Sequence, residues 1–289
     1  MKKLILSVLL IPAVFSAQQT VSRDAEIANY VSQVSADSLK SHINKLVSFG
    51  TRHTMSSTTD AKKGIGAARN WVLSKFKNYA KNADGRMEVF LQSQTIQPDG
   101  KRINQPTDLG NAIAILRGTD PNDKRIFMIG GHLDSRVSDV MNNKDFAPGA
   151  NDDGSGVGAV IESARILSQS KFPATIVFVA FSGEEQGLLG AKMLAEKAKN
   201  ENWQLEALLN NDMIGNNLTS ETNLINAYQL RVFSEGLPQF DLDKKAQEIR
   251  NLGLENDGEA RQLARYIKEI GERYVDNLEV KLIYRNDRF

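Results

Sequence analysis

Three apolar runs, each ending in an ionisable tip, constrain this chain more than any other feature of its sequence. Residues 126–129, 174–181 and 205–209 have the length and the Val/Ile/Phe content of buried strands. The residues that follow them include His132, the pair Glu184-Glu185, and Asp212. A fourth tip, Asn151-Asp152-Asp153-Gly154-Ser155-Gly156, is a Gly-rich turn feeding a helix whose Val157, Val160, Ile161, Ala164 and Leu167 share one face. Ionisable side chains therefore gather where strands end, and the loops leaving the carboxyl ends of strands in an open α/β sheet are where ligand sites form.

The flanking sequence supports the same architecture. Residues 35–49 put Leu39, Ile43, Leu46 and Val47 on one helical stripe that Gly50 stops, and residues 61–79 form a second amphipathic helix through Ile65, Ala68, Val72, Phe76 and Tyr79. Residues 88–94 and 111–116 are expected strands, residues 137–148 a polar loop at the rim of the site. Further on, residues 228–234 and 280–284 are expected strands, with a long helix between them marked by Ala260, Leu263, Ile267, Ile270 and Tyr274. At 289 residues and 41% hydrophobic composition, this is enough chain for one α/β domain: a mostly parallel mixed β-sheet with helices on both faces.

Charge and cysteine content narrow the chemistry. With 36 basic and 35 acidic residues spread along the chain, nothing favours nucleic acid or an anionic membrane as partner. Cysteine is absent, so disulfides, thiolate ligands and a Cys nucleophile are excluded, and any metal is held by oxygen and imidazole. Met1-Lys2-Lys3, an apolar run over residues 4–15 and a small-residue exit at Ser16-Ala17 have the layout of a secretory signal over residues 1–17. That run falls short of the roughly 20 residues a spanning helix needs. The mature protein is expected to be secreted or periplasmic, free of the membrane once the signal is removed.

His132, Asp152, Glu185 and Asp212 together suit zinc or a similar divalent ion, and the excess of carboxylates suits two ions sharing one of them. Glu184, beside a ligand at Glu185, would be left as general base, and Asp134 would orient His132 through its other ring nitrogen. Single residues carry less: Asp152-Asp153 also suit a turn and N-cap, Glu184-Glu185 a helix start, His42 a helix face beside the core, and His53 local bonding in its loop. A Ser-His-Asp hydrolase using Ser155 or Ser182 lacks the Gly-x-Ser-x-Gly elbow.

Gly131-His132-Leu133-Asp134-Ser135, Asn151-Asp152-Asp153-Gly154-Ser155-Gly156, Ser182-Gly183-Glu184-Glu185-Gln186-Gly187 and Asn211-Asp212-Met213-Ile214-Gly215 resemble, in order, the four motifs of the co-catalytic dizinc aminopeptidases. Ser48-Phe49-Gly50-Thr51-Arg52-His53-Thr54 resembles a segment of the secreted bacterial members. The resemblance implies a zinc-peptidase-like fold and two Zn2+, with His132 and Asp212 on one ion, Glu185 on the other and Asp152 bridging. Glu184 would be the base, and peptides with a free N-terminus would be cleaved at the first carbonyl by a metal-bridged hydroxide. In that family a further histidine follows the final strand. This sequence ends at Asn286-Asp287-Arg288-Phe289 and holds only His42, His53 and His132, so the expectation is a catalytic domain over residues 18–289 lacking its C-terminal end. Two alternatives follow: a glutaminyl cyclase-like single-zinc acyltransferase, and a non-catalytic metal- or peptide-binding fragment holding one ion through His132, Asp152 and Asp212.

Overall fold

The computed structural model describes residues 23–218, 225–235, 247–248, 251 and 258–285; the expected leader and the last four residues lie outside them. Three helices open the described chain: α1 (Ala25–Ser32), α2 (Ala36–Val47) and α3 (Gly64–Ala80). The first two start where a side chain can take up orphan N–H groups. Asp24 accepts from Glu26 and Ile27, and Ser35 accepts from Ser38. The periodicity of the sequence anticipates α2 and α3 but not α1. That short helix buries no residue and is held by tertiary contacts, its cap residue Asp24 donating N–H to the Tyr274 hydroxyl at 2.7 Å.

Strands β1 (Met87–Ile96), β2 (Thr107–Leu116) and β3 (Arg125–His132) are followed by α4 (Gly154–Leu167), β4 (Thr175–Phe181), α5 (Leu189–Asn200) and β5 (Gln204–Asn210). The five strands form one mixed sheet in the order β1-β2-β4-β3-β5, antiparallel across β1, β2 and β4 and parallel across β4, β3 and β5. Alternation along the central strands divides the core in two. Ala112, Ala114, Leu116, Phe178 and Ala180 face α2, α3 and α4, whereas Ile113, Ile115, Val177, Val179 and Phe181 face the side covered by Leu194 of α5. Both faces are covered, so β2 from Leu109 and β4 from Val177 are buried at every position rather than alternating.

β5 departs from expectation. Its apolar composition suggests a buried strand, but Leu205, Leu208 and Leu209 are 45%, 41% and 40% exposed. The reason is position: β5 is the edge of the sheet, hydrogen-bonded to β3 alone among the described strands. β6 (Gln229–Glu235) and β7 (Glu279–Arg285) pair in parallel as a second, two-stranded sheet, against which α6 (Glu259–Tyr274) packs. No helix among the described residues is long and apolar enough to cross a membrane.

Candidate metal centre

The sheet order brings the tips together. β3 lies between β4 and β5, with His132 in register with Phe181 and Gly130 with Asn210. His132 ends β3, Glu184 and Glu185 follow β4, and Asp212 follows β5, so all leave the same edge. The fourth tip arrives because backbones approach closely at two glycines. A Cβ on Gly131 would meet the Gly156 carbonyl carbon at 2.8 Å, and one on Gly156 would meet the Asn211 oxygen at 2.2 Å. Asp153 closes this junction, its carboxylate accepting N–H groups from His132 (2.9 Å), Gly156 (2.9 Å) and Met213 (3.3 Å). It is thus the N-cap of α4 and a clamp on three loops. Burial, reinforced by Asp212, raises its carboxyl to about 7 against the opposing pull of His132 and the N–H donors.

The preceding Asp152 faces the imidazole. His132 Nε2 lies 2.9 Å from Asp152 Oδ1 and 3.8 Å from Asp212 Oδ1, and His132, Asp152 and Asp212 each present a donor atom within 4.8 Å of the others. One imidazole nitrogen and two carboxylate oxygens at this separation fit a zinc ion. Burial alone would lower the basicity of His132, but the carboxylates of Asp134, Asp152 and Asp212 outweigh it and raise the pKa. Such a field attracts a cation of either kind, proton or metal.

Asp134 holds the site from behind. His132 Nδ1 contacts the main-chain oxygen of Asp134 at 3.1 Å, whereas the Asp134 carboxylate stands 3.7 Å away, beyond hydrogen-bond reach. The expected orientation of the ring by Asp134 therefore comes from its carbonyl, and the carboxylate has another task. It accepts N–H from Glu184 (3.2 Å) and Glu185 (3.1 Å) and lies 2.9 Å from Thr54 Oγ1. Burial would push this carboxyl up, but His132, the Thr54 hydroxyl and the Glu184 N–H hold it below the usual range.

The two adjacent glutamates differ. Glu185 has its carboxylate on Arg136 Nε at 2.6 Å and its carbonyl on Arg102 Nη1 at 2.7 Å. It lies outside the close group of His132, Asp152 and Asp212. No hydrogen bond reaches the Glu184 carboxylate from the described residues, and burial together with Asp134, Glu185 and Asp212 raises its pKa despite His132. Burial also raises the pKa of Glu185, against the pull of Arg136; what separates the two glutamates is that Arg136 holds one carboxylate while no described residue bonds the half-buried other.

Several supporting residues lie within the family-like segments without any sequence feature that gives them a role. Thr54 Oγ1 is 2.6 Å from Gln186 Oε1, and Gln186 Nε2 donates to the Val140 carbonyl at 3.1 Å. His53, fully buried, accepts the Met55 N–H on Nδ1 (3.0 Å), so its proton sits on Nε2, 3.1 Å from the Val140 oxygen. Burial lowers its pKa and keeps it neutral. Arg52 is likewise buried, donating to the carbonyls of Leu133, Leu46, Pro148 and Gly149. The segment containing these residues was legible only through its resemblance to a family segment. Ser155 and Ser182, the serines considered for nucleophilic catalysis, donate to the carbonyls of Asn151 (2.7 Å) and Gly110 (2.6 Å) and make no bond to His132.

The family model for peptidase family M28 matches residues 111–277. A "probable zinc metalloprotease" of Pyricularia oryzae is 41% identical over 267 residues, covering 92% of this chain and 53% of the relative. Another from Pyrenophora tritici-repentis is 42% identical over 267 residues, covering 92% of this chain and 61% of the relative. The chain thus spans about half to three-fifths of the curated relatives it matches. Among solved structures, the Legionella pneumophila LapA aminopeptidase shares the fold at a TM-score of 0.62 and 19% identity, covering 99% of this chain and 64% of that one. A Bacteroides thetaiotaomicron glutaminyl cyclase bound to N-acetylhistamine does so at 0.58 and 17% identity, covering 86% of this chain and 77% of that one.

Proposed function

Since the chain belongs to peptidase family M28, we propose that it acts in a zinc-dependent aminopeptidase, removing the first residue of peptides whose N-terminus is free. Supporting the peptidase part are the curated relatives, each described as a zinc metalloprotease; supporting the aminopeptidase part are the ordered motifs and the fold shared with LapA. The observation that carries the reading is the pairing of the His132, Asp152 and Asp212 donor group with a half-buried Glu184 whose carboxylate no described residue bonds.

In this reading His132, Asp152 and Asp212 would hold one zinc, and Glu185 would serve a second. Zinc, when bound, polarises a carbonyl oxygen and makes a nearby water more acidic. Glu184 takes the proton from the attacking water and passes it to the leaving amine, a role that a carboxyl raised above its ordinary value suits. Asp134 fixes the backbone of both glutamates, and its carbonyl sets the ring of His132 so that Nε2 faces the carboxylates. Arg102 and Arg136 restrain Glu185.

Glu184→Gln tests the assignment. It should lower kcat on a leucine amide by about 10²–10⁴-fold while zinc content is retained; unchanged turnover would remove Glu184 from the mechanism. Equal hydrolysis of the N-acetylated substrate would refute specificity for a free amine. Cyclisation of an N-terminal glutamine peptide without amide hydrolysis would replace the reading by a glutaminyl cyclase activity on the same fold. Export with removal of residues 1–17 is part of the proposal; cell fractionation that finds the protein only in the cytoplasm would overturn export, and an N-terminus at Met1 would overturn the cleavage.

A further inference from the structure

We propose that Ser155 and Asn151 are positioning residues for the group formed by His132, Asp152 and Asp212: they clasp a strained turn after Asp212 and so hold its carboxylate beside the other two donors. The inference rests on the metal-centre reading given above. Main-chain bonds hold the chain on either side of Asp212. Before it, Asn211 donates N–H to the Gly130 carbonyl at 2.8 Å, which ties the chain to β3 near His132. After it, consecutive N–H groups reach the loop that carries Asp152. Met213 donates to Asp153 Oδ1 at 3.3 Å, Ile214 to Ser155 Oγ at 3.0 Å and Gly215 to Asn151 Oδ1 at 2.9 Å. Ser155 Oγ donates in turn to the Asn151 carbonyl at 2.7 Å, so one hydroxyl closes its own loop and grips the next. The backbone around Asp212 is thereby tethered to the elements that bear His132 and Asp152.

The turn held in this way is one the chain would not keep unaided. Met213 has a φ of 51°, in the left-handed region that disfavours a bulky side chain. Its side chain is 53% exposed, so packing does little to keep it there. The bonds made by its own N–H and by those of Ile214 and Gly215 are what oppose relaxation of the turn. Relaxation would carry Asp212 away from the group in which its Oδ1 stands 3.8 Å from His132 Nε2. Ser155, 4% exposed, is the buried member of the clasp and touches none of the donor atoms itself. Its hydroxyl acts on metal binding through the backbone of Asp212, before any substrate is present.

The test is zinc titration of the metal-stripped chain and its variants in competition with a chromophoric chelator, with folding checked by circular dichroism. Ser155→Ala should weaken zinc binding by about tenfold or more, as loss of a group supporting a metal ligand does. Adding Met213→Gly to that variant should restore affinity to within about threefold of wild type, because glycine occupies the left-handed region without penalty. Met213→Gly alone should leave affinity within about threefold. A serine needed only for general stability gives no such rescue. If Ser155→Ala does not fold, Asn151→Ala, which frees the exposed bond to Gly215, takes its place with the same expectations. A folded variant that loses less than about threefold overturns the proposal. So does a loss that Met213→Gly leaves unrepaired, or offsets only by as much as it improves the wild type. Absence of zinc uptake by the wild-type chain, or uptake that His132→Ala leaves unchanged, overturns the metal-centre reading itself; uptake that depends on His132 but not on the clasp overturns this inference alone.

Discussion

Replacing Arg52 by methionine removes a buried hub without changing the volume of the side chain greatly. Its guanidinium, 1% exposed, donates to Leu133 (2.7 Å), Pro148 (2.6 Å), Gly149 (2.9 Å) and Leu46 (3.2 Å). The four acceptors are not equally dependent on it. Gly149 keeps the Gly154 N–H at 2.9 Å and Leu46 keeps that of Phe49 at 3.3 Å, whereas Leu133 and Pro148 lose the bond that Arg52 supplies. An orphaned buried carbonyl costs about 1–3 kcal/mol, with Pro148, reachable by water, at the low end. The carboxylates of Asp134, Asp153 and Asp152 also lose a facing cation. Against this, burial of the arginine is itself unfavourable, enough to lower its pKa to about 10. The carbonyls and carboxylates stay buried when the arginine goes, so loss prevails and the net cost is about 3 kcal/mol. For a chain of this size that lowers Tm by about 6–12 °C. Differential scanning calorimetry on the metal-free protein reads it directly. Arg52→Lys should recover only part, because an ammonium cannot span acceptors placed for a planar fork. A drop corresponding to less than about 1 kcal/mol, or full recovery with lysine, would refute the reasoning.

Other expectations follow from single contacts. Thr54→Val keeps the shape but removes the hydroxyl between Asp134 and Gln186; urea unfolding should show a loss of about 1–2 kcal/mol, and no measurable loss would mean that the two N–H donors of Asp134 suffice. Phe178→Ala, at a fully buried position in the face shared with α4, should cost about 3–5 kcal/mol, seen as a lower urea midpoint at unchanged slope. Asp99 accepts N–H from Ile103, Arg102 and Lys101, each at 2.8 Å, which lowers its carboxyl from 3.8 to about 2. Because the folded-state value is depressed, the stabilisation of this turn is complete above about 3.8 and lost as pH falls through about 2. Amide exchange at Ile103 should accelerate over that window, and a carboxyl titrating near 3.8 by NMR would contradict it.

Local chemistry explains how much was legible before any coordinates. Strand and helix periods, glycine turns and caps act over a few residues, so β1 to β7 and helices α2, α3, α4 and α6 follow from side-chain pattern alone, as does the position of each ionisable tip after its strand. The short α1, capped by Asp24 and tied to Tyr274 far along the chain, has no such pattern. The family resemblance gives Glu184 and Glu185 different roles, but that Arg136 bonds the carboxylate of one and not the other is visible only in the fold.

What the sequence determines by itself, then, is the inventory: which segments are strands and helices, and that His132, Asp152, Glu184, Glu185 and Asp212 stand at their tips. Tertiary structure decides which of these meet. The placement of β3 between β4 and β5 gathers three tips from an order the chain does not follow, and the glycine contact between Gly131 and Gly156 brings the fourth. The same placement leaves β5 at an edge with its leucines exposed, against their composition. Thr54 and Asp134 are 80 positions apart and Gln186 and His53 are 133 apart, so no local pattern announces that they share a hydrogen-bond network. Hydrophobic periodicity specifies which face of an element is buried; only the packed sheet specifies what that face, and each loop beyond it, will meet.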